Sequence, residues 1–312
     1  MKKVALMFSG QGAQYHGTGF NLYDTYDSVK DVFLQSETVT NYPIRDISFN
    51  DGDDRLNQTK YTQVCMFTLY QAILVLLEEK GIHINNSMGL SLGEYGAYLH
   101  QGVFDFSTGL KLIRKRASLM ENATMYQPGS MSAVIGMKAD QLSDLIDDVD
   151  GYVSISNYNS YQQLVISGES KAVKQLGDIA KANGAKRIIP LNTSGAFHSA
   201  LMKTASQGLM EYLNDIDLNE PKMNLYLNTT GQLYDGHLRQ HMARQLTHSV
   251  RFYQMVETMI KDGVDTFVEI GPKKTLCQLV RRIDGSVKVL NIEDNDSLLK
   301  TLQYLEENND EL

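Results

Sequence analysis

At 312 residues, 42% of them hydrophobic, the chain is long enough for one large domain or two modest ones around a well-buried core. Its formal charge of −8, with no run of Lys or Arg, sets it against a nucleic-acid phosphate backbone. The two cysteines, Cys65 and Cys277, lie far apart without the close-spaced companions of a metal site, and read as buried thiols in a reducing cytoplasm.

The N-terminal MKKVALMF superficially echoes a secretory signal. Its apolar run is too short for one, no small-residue cleavage site follows, and VALMF at 4–8 is expected to be a buried parallel strand. No stretch is expected to reach the length of a membrane span. Apolar residues three and four apart then predict helices over 21–39 and 61–81. An extended segment over 82–88 leads into GLSLG at 89–93, and helical spacing resumes over 93–100 and 105–123.

Pro and Gly punctuate the chain near YQPGS at 126–130. Beyond it the pattern predicts strand 131–137, helix 139–149, strands 152–158 and 163–168, helix 169–184 and strand 185–191. This βαββαβ order is that of a ferredoxin-like unit, and it reads as a small domain inserted into a larger one. After residue 200 come a helix in ALMKTASQGLMEYLNDI, short strands in NLYLNTTGQLY and one helix through RQHMARQLTHSVRFYQMVETMIKDG. The strand DTFVEIGP and the helix KKTLCQLVRRI follow. Strands alternating with helices on both sides of the insertion favour a mainly parallel sheet. The last few residues of the acidic YLEENNDEL read as frayed chain.

GLSLG has the form G-x-S-x-G, in which a strand turns sharply into a helix and presents the central serine, here Ser91. The glycines avoid steric clashes, and the N–H after the serine is the usual donor to a developing oxyanion. A serine nucleophile needs a base. His16, His83, His100, His237, His241 and His248 lie in polar or helical surroundings, whereas His198 sits in the small-residue loop NTSGAFHSALM at the end of the inserted unit. Such a loop is where catalytic groups gather, although His198 as a helix cap is the plainer alternative.

FSGQGAQ (8–14), YTQ (61–63), GLSLGEY (89–95), Arg116–Ala123, NYNSYQQLVISG (157–168), GAFHSALM (195–202), ARQLTHSVRF (243–252) and EIGPKKTLCQL (269–279) follow one another in this order. Together, over residues 4 to about 292, they resemble the malonyl-CoA:acyl carrier protein transacylases, the acyltransferases of type II fatty-acid synthesis. The resemblance implies an α/β-hydrolase-like large domain (1–125 and 199–312) with a mainly parallel sheet, and a ferredoxin-like small domain (126–198). It implies a catalytic dyad of Ser91 and His198, the histidine oriented by the main-chain carbonyl of Gln245. That agrees with the absence of any outstanding Asp partner for His198.

The resemblance also assigns the backbone N–H groups of Gln11 and Leu92 to an oxyanion hole and Arg116 to the malonyl carboxylate. Gln63 and Asn159 match further pocket positions. For an arginine in LIRKRASLM the default is a solvated helix face, so Arg116 is singled out by its motif and not by local spacing. The expected substrate is malonyl-CoA and the expected partner holo acyl carrier protein, with no cofactor, metal, nucleic acid or membrane. The protein is expected to be a cytoplasmic monomer.

Three positions depart from the commoner pattern of the family. Leu90 stands where histidine often precedes the serine, Val64 where proline is frequent, and Tyr161–Gln162 where Pro-Gly is usual. Other readings stay open at this level. A polyketide acyltransferase or a malonate decarboxylase subunit would share dyad, arginine and fold. GLSLG alone would serve an esterase or thioesterase equally well, and a non-catalytic binding module would form no acyl-serine.

Overall fold

The computed structural model describes residues 3–308, so the last four residues of the acidic tail lie outside it. Its strands in chain order are β1 (Val4–Phe8), β2 (Asn86–Gly89), β3 (Ser130–Ile135), β4 (Val153–Ser160), β5 (Gln163–Gly168), β6 (Arg187–Pro190), β7 (Asn224–Leu225), β8 (Thr266–Ile270) and β9 (Lys288–Ile292). They form a five-stranded sheet ordered β7-β2-β1-β8-β9 and a four-stranded sheet ordered β4-β5-β3-β6. Every pairing in the first is parallel and every pairing in the second antiparallel. The expected α/β class, a parallel sheet with a smaller ferredoxin-like one, is therefore observed.

The chain divides into two compact units. The first comprises Met1–Lys115, Asp217–Tyr226 and Thr258–Leu312, and holds the parallel sheet. β1 and β8 are buried at every position, as central parallel strands covered on both faces must be. The helix Gly93–His100 packs so closely that a Cβ at Gly96 would sit 2.5 Å from the Phe8 ring, which itself meets Tyr70 edge-on at 5.4 Å. Tyr70 belongs to the helix Thr59–Glu79. Contrary to expectation, this helix is long and apolar enough to cross a membrane. However, 72% of its most apolar window is buried inside the protein, as in a central core helix.

The second unit comprises Arg116–Ile216 and Leu227–Glu257. In its sheet the first and third strands of the βαββαβ run, β3 and β5, lie side by side at the centre. The helix Ser170–Ala182 buries Ala172, Val173, Leu176 and Ala180, spaced three and four apart, against alternate residues of the strands such as Val153 with Ile155 and Leu164 with Ile166.

Three readings need correction. The helix expected over 21–39 is two, Phe20–Thr25 and Asp27–Thr40, because Tyr26 is extended and its hydroxyl is held by Asn295 at 2.6 Å. The single helix expected through RQHMARQLTHSVRFYQMVETMIKDG is also two, Leu238–Arg244 and Phe252–Lys261. Between them the chain leaves the helix and joins the edge of β4. Val250 N–H donates to Ser156 O and Tyr158 N–H to Val250 O, both at 2.8 Å. NLYLNTTGQLY contains only the two-residue strand β7, while β9 and the helix Asn295–Asn308 were not anticipated from pattern.

Candidate active site

Ser91 lies on the turn between β2 and the helix Gly93–His100, with φ of 55°, a left-handed conformation that costs a residue with a Cβ roughly 1–3 kcal/mol. The surrounding backbone over-determines it. A Cβ at Gly89 would lie 2.0 Å from the Gly93 carbonyl carbon, and one at Gly93 2.0 Å from Phe8 O. The two glycines of G-x-S-x-G are thus fixed by backbone meeting backbone, as the sequence predicted, and the Ser91 residue is left half-buried. Hydrogen bonds of the turn begin with Gly93 N–H to Leu90 O at 3.0 Å and Glu94 N–H to Ser91 O at 3.1 Å. Leu92 N–H comes just before this series, among the first donors of the helix, where a helix N-terminus favours negative charge.

Gln11 lies close by within the same unit. β1 and β2 are adjacent with Phe8 opposite Gly89, so the loops leaving their C-terminal ends run together. Gly10 approaches within 2.9 Å of Leu90 O, measured from where its Cβ would be, and Leu90 N–H donates to Phe8 O at 3.0 Å. Leu90, the position that departs from the usual histidine, therefore packs against the loop that carries Gln11. The Gln11 side chain is tied by Nε2–H to Thr59 Oγ1 at 3.1 Å. Gln63, one turn further along the same helix, is fully buried.

The second unit carries His198, Arg116, Gln245 and Asn159. His198 also has a left-handed backbone, with φ of 56°. The loop before it hugs the C-terminal part of the helix Phe106–Tyr126: a Cβ at Gly195 would lie 2.2 Å from Thr124 Oγ1. Ser199 Oγ–H donates to Ala196 O at 2.6 Å, closing the turn.

His198 Nδ1 lies 2.7 Å from the main-chain oxygen of Gln245. A carbonyl can only accept, so Nδ1 carries the proton and Nε2 is the basic nitrogen. The break in the helix makes this bond possible. Gln245 is the residue after the helix Leu238–Arg244, where helical carbonyls lose their intrahelical partners. Burial, and then the positive charge of Arg116, bring the His198 pKa down to about 4, against hydrogen bonds to the Gln245 and His248 main chain that pull it up. The imidazole is therefore neutral at pH 7, the form in which it accepts a proton.

Arg116 is not on a solvated face. It is 1% exposed, on the helix Phe106–Tyr126, and its Nη2–H donates to the side-chain oxygen of Gln245 at 2.9 Å. This second role of Gln245 has no sequence signal, because the partners are 129 residues apart. Asn159 sits at the register shift between Tyr158 and Ser160, just past the point where β4 meets Val250. Its Oδ1 is buried with no hydrogen-bond partner among the described residues. Among the described residues no cluster of His, Cys, Asp and Glu is arranged to hold a metal ion.

The Acyl transferase domain family model matches residues 6–298. The malonyl CoA-acyl carrier protein transacylase of Bacillus subtilis is 33% identical over 315 aligned residues, covering 99% of each chain. The crystal structure of malonyl CoA-acyl carrier protein transacylase from Clostridium perfringens superposes with a TM-score of 0.94 at 38% identity, covering 98% of each chain. A malonyl-transacylase in complex with its type II PKS acyl-carrier protein superposes with a TM-score of 0.94 at 32% identity, covering 97% of this chain and 100% of that one.

Proposed function

The chain belongs to the acyl transferase domain family, among its malonyl-CoA:acyl carrier protein transacylases, and on that premise we propose that malonyl transfer runs through a covalent ester on Ser91. The protein is an acyl carrier protein S-malonyltransferase: it moves the malonyl group from malonyl-CoA to acyl carrier protein and supplies fatty-acid biosynthesis. His198 Nε2 takes the Ser91 proton as Oγ attacks the malonyl thioester. The C–S bond breaks, and the proton passes to the departing thiolate of coenzyme A. The thiol of acyl carrier protein then gives its proton to His198, attacks the malonyl-serine ester, and Ser91 regains the proton. Gln11 and Leu92 N–H groups receive the oxyanion of both tetrahedral intermediates.

Arg116 binds the free carboxylate of the malonyl group by charge-assisted hydrogen bonds, Gln245 orients His198 through its main-chain oxygen, and Gln63 and Asn159 line the acyl pocket. One observation carries the reading: a buried arginine and a buried neutral histidine are hydrogen-bonded to the same glutamine. Anion recognition and proton transfer thereby sit one residue apart. Arg116→Ala should lower the ratio of malonyl-CoA to acetyl-CoA kcat/KM by roughly 100-fold or more. An unchanged ratio would contradict the carboxylate assignment.

We assign residues 126–198 to an inserted small domain, supported by the four strands β3 to β6 that run between 130 and 190, with 1–125 and 199–312 as the large one. The protein is placed in the cytoplasm, where reducing conditions suit the buried free thiols of Cys65 and Cys277, and is assigned as a monomer, which light scattering tests. Docking of the acyl carrier protein is assigned to basic residues among Lys186, Arg187, Lys273, Lys274, Arg281 and Arg282, all of them exposed.

A further inference from the structure

Gln245 presents two oxygens to two functional groups. Its main-chain oxygen accepts from His198 Nδ1 at 2.7 Å, and its side-chain oxygen accepts from Arg116 Nη2 at 2.9 Å. All three residues are withdrawn from solvent, with exposures of 4% for His198, 1% for Arg116 and 0% for Gln245. Orienting the histidine requires only the main chain, which any residue but proline would supply with little change. The amide is needed for something else.

We propose that the Gln245 side chain is a specificity-determining positioning residue, which holds the Arg116 guanidinium ready for a substrate carboxylate without cancelling its charge. The inference rests on the assignment of Arg116 to the malonyl carboxylate. Its physical basis is the choice of acceptor. A guanidinium offers five N–H donors in a rigid fork, so one bond to a fixed acceptor fixes the plane in which the others point. A carboxylate at 245 would hold the fork too, but as a buried ion pair that the malonyl carboxylate would have to displace. An apolar side chain would remove the acceptor that fixes Nη2. A neutral amide oxygen orients the fork without itself forming an ion pair with it.

The arrangement also links the two halves of the chemistry. Arg116 and His198 are held by one residue, so movement of the arginine on one side of Gln245 is felt by the hydrogen bond that orients the base on the other. A substrate carboxylate that seats Arg116 therefore steadies the base as well, whereas an acetyl group does neither.

The test uses Gln245→Glu, close in shape, and Gln245→Leu, which removes the acceptor; both keep the main-chain oxygen. In the full chain, kcat and KM are measured with malonyl-CoA and acetyl-CoA, with Arg116→Ala and the Arg116→Ala/Gln245→Leu double variant alongside. Each Gln245 variant is expected to lower the malonyl-to-acetyl ratio of kcat/KM by roughly ten- to a hundredfold, chiefly through KM for malonyl-CoA. Adding Gln245→Leu to Arg116→Ala should lower the ratio no further, because the amide acts through the arginine. A merely structural glutamine would depress both substrates alike, leaving the ratios of the single Gln245 variants at the parent's value and lowering kcat/KM for both substrates further in the Arg116→Ala background. Ratios of both Gln245 variants within about twofold of the parent, beside an Arg116→Ala that does shift, would overturn the proposal alone. An Arg116→Ala ratio equal to the parent would overturn the carboxylate assignment on which it rests.

Discussion

The serine and histidine regions use the same backbone device in different ways. Both Ser91 and His198 are held at positive φ, at 55° and 56°. Around Ser91 the constraint is main chain against main chain: Gly89 against Gly93, and Gly93 against Phe8 and Ser9. Around His198 the important constraints are hydrogen bonds that reach far along the chain, from His198 to Gln245 across 47 residues and from Arg116 to Gln245 across 129. The first region is a shape that short sequence can encode, and the second is a network that only the folded unit assembles. The serine site should therefore fail by steric change, and the histidine site by chemical change at nearly constant shape.

The largest expected effect breaks the comparison at the nucleophile. Ser91→Ala should reduce malonyl transfer by roughly a thousandfold or more in a steady-state assay, with the melting temperature near that of the parent. Next comes the steric test. Gly93→Ala should cost about 1–3 kcal/mol or more of stability by denaturant unfolding, and activity with it, since its Cβ would meet main-chain atoms that have no rotamer to escape into. An equal cost for the exposed loop glycine Gly52→Ala, where nothing lies within 4 Å, would remove the distinction.

A third test is one of pH, and it sets the histidine region against a buried acid of the first unit. His198 has its pKa brought down from 6.5 to about 4, so the unfolded chain takes up this proton first and stability is lost as pH falls from about 6.5 to about 4. Glu269 is the opposite. Burial raises its pKa from 4.5 to about 7, outweighing the N–H groups of Leu276 and Cys277 that its carboxylate accepts. Its stabilising contribution is present below about pH 4.5 and is lost as pH rises through about 7. Each contribution is on the order of 3 kcal/mol, and over their shared range they oppose each other. Relative to the parent, His198→Ala should gain melting temperature on going from pH 7 to pH 5, and Glu269→Gln should lose it. Parallel profiles for all three proteins would contradict both assignments.

The same contrast explains what could be read in advance. β1, the elbow at Ser91 and the βαββαβ unit were legible because their signals are local: a continuous apolar run, glycines two positions either side of a serine, and period-two and period-3.6 patterns. The split of the helix at Gln245–Arg251 was not, because neither Gly nor Pro marks it and pairing of Val250 with β4 overrides the helical spacing. That break frees the Gln245 carbonyl for His198. Arg116 was expected in the site from its motif alone. Its burial and its bond to the Gln245 side chain come from packing among segments that sequence spacing does not connect.

The central claim is that Ser91 carries the malonyl group between two thiols, and intact-protein mass spectrometry after brief exposure to malonyl-CoA, without acceptor, addresses it directly. The expected result is a single added malonyl group on the parent protein. It should be discharged by holo acyl carrier protein and absent from Ser91→Ala. A malonyl adduct of equal occupancy on Ser91→Ala, or transfer by the parent with no adduct at any time, would contradict the account.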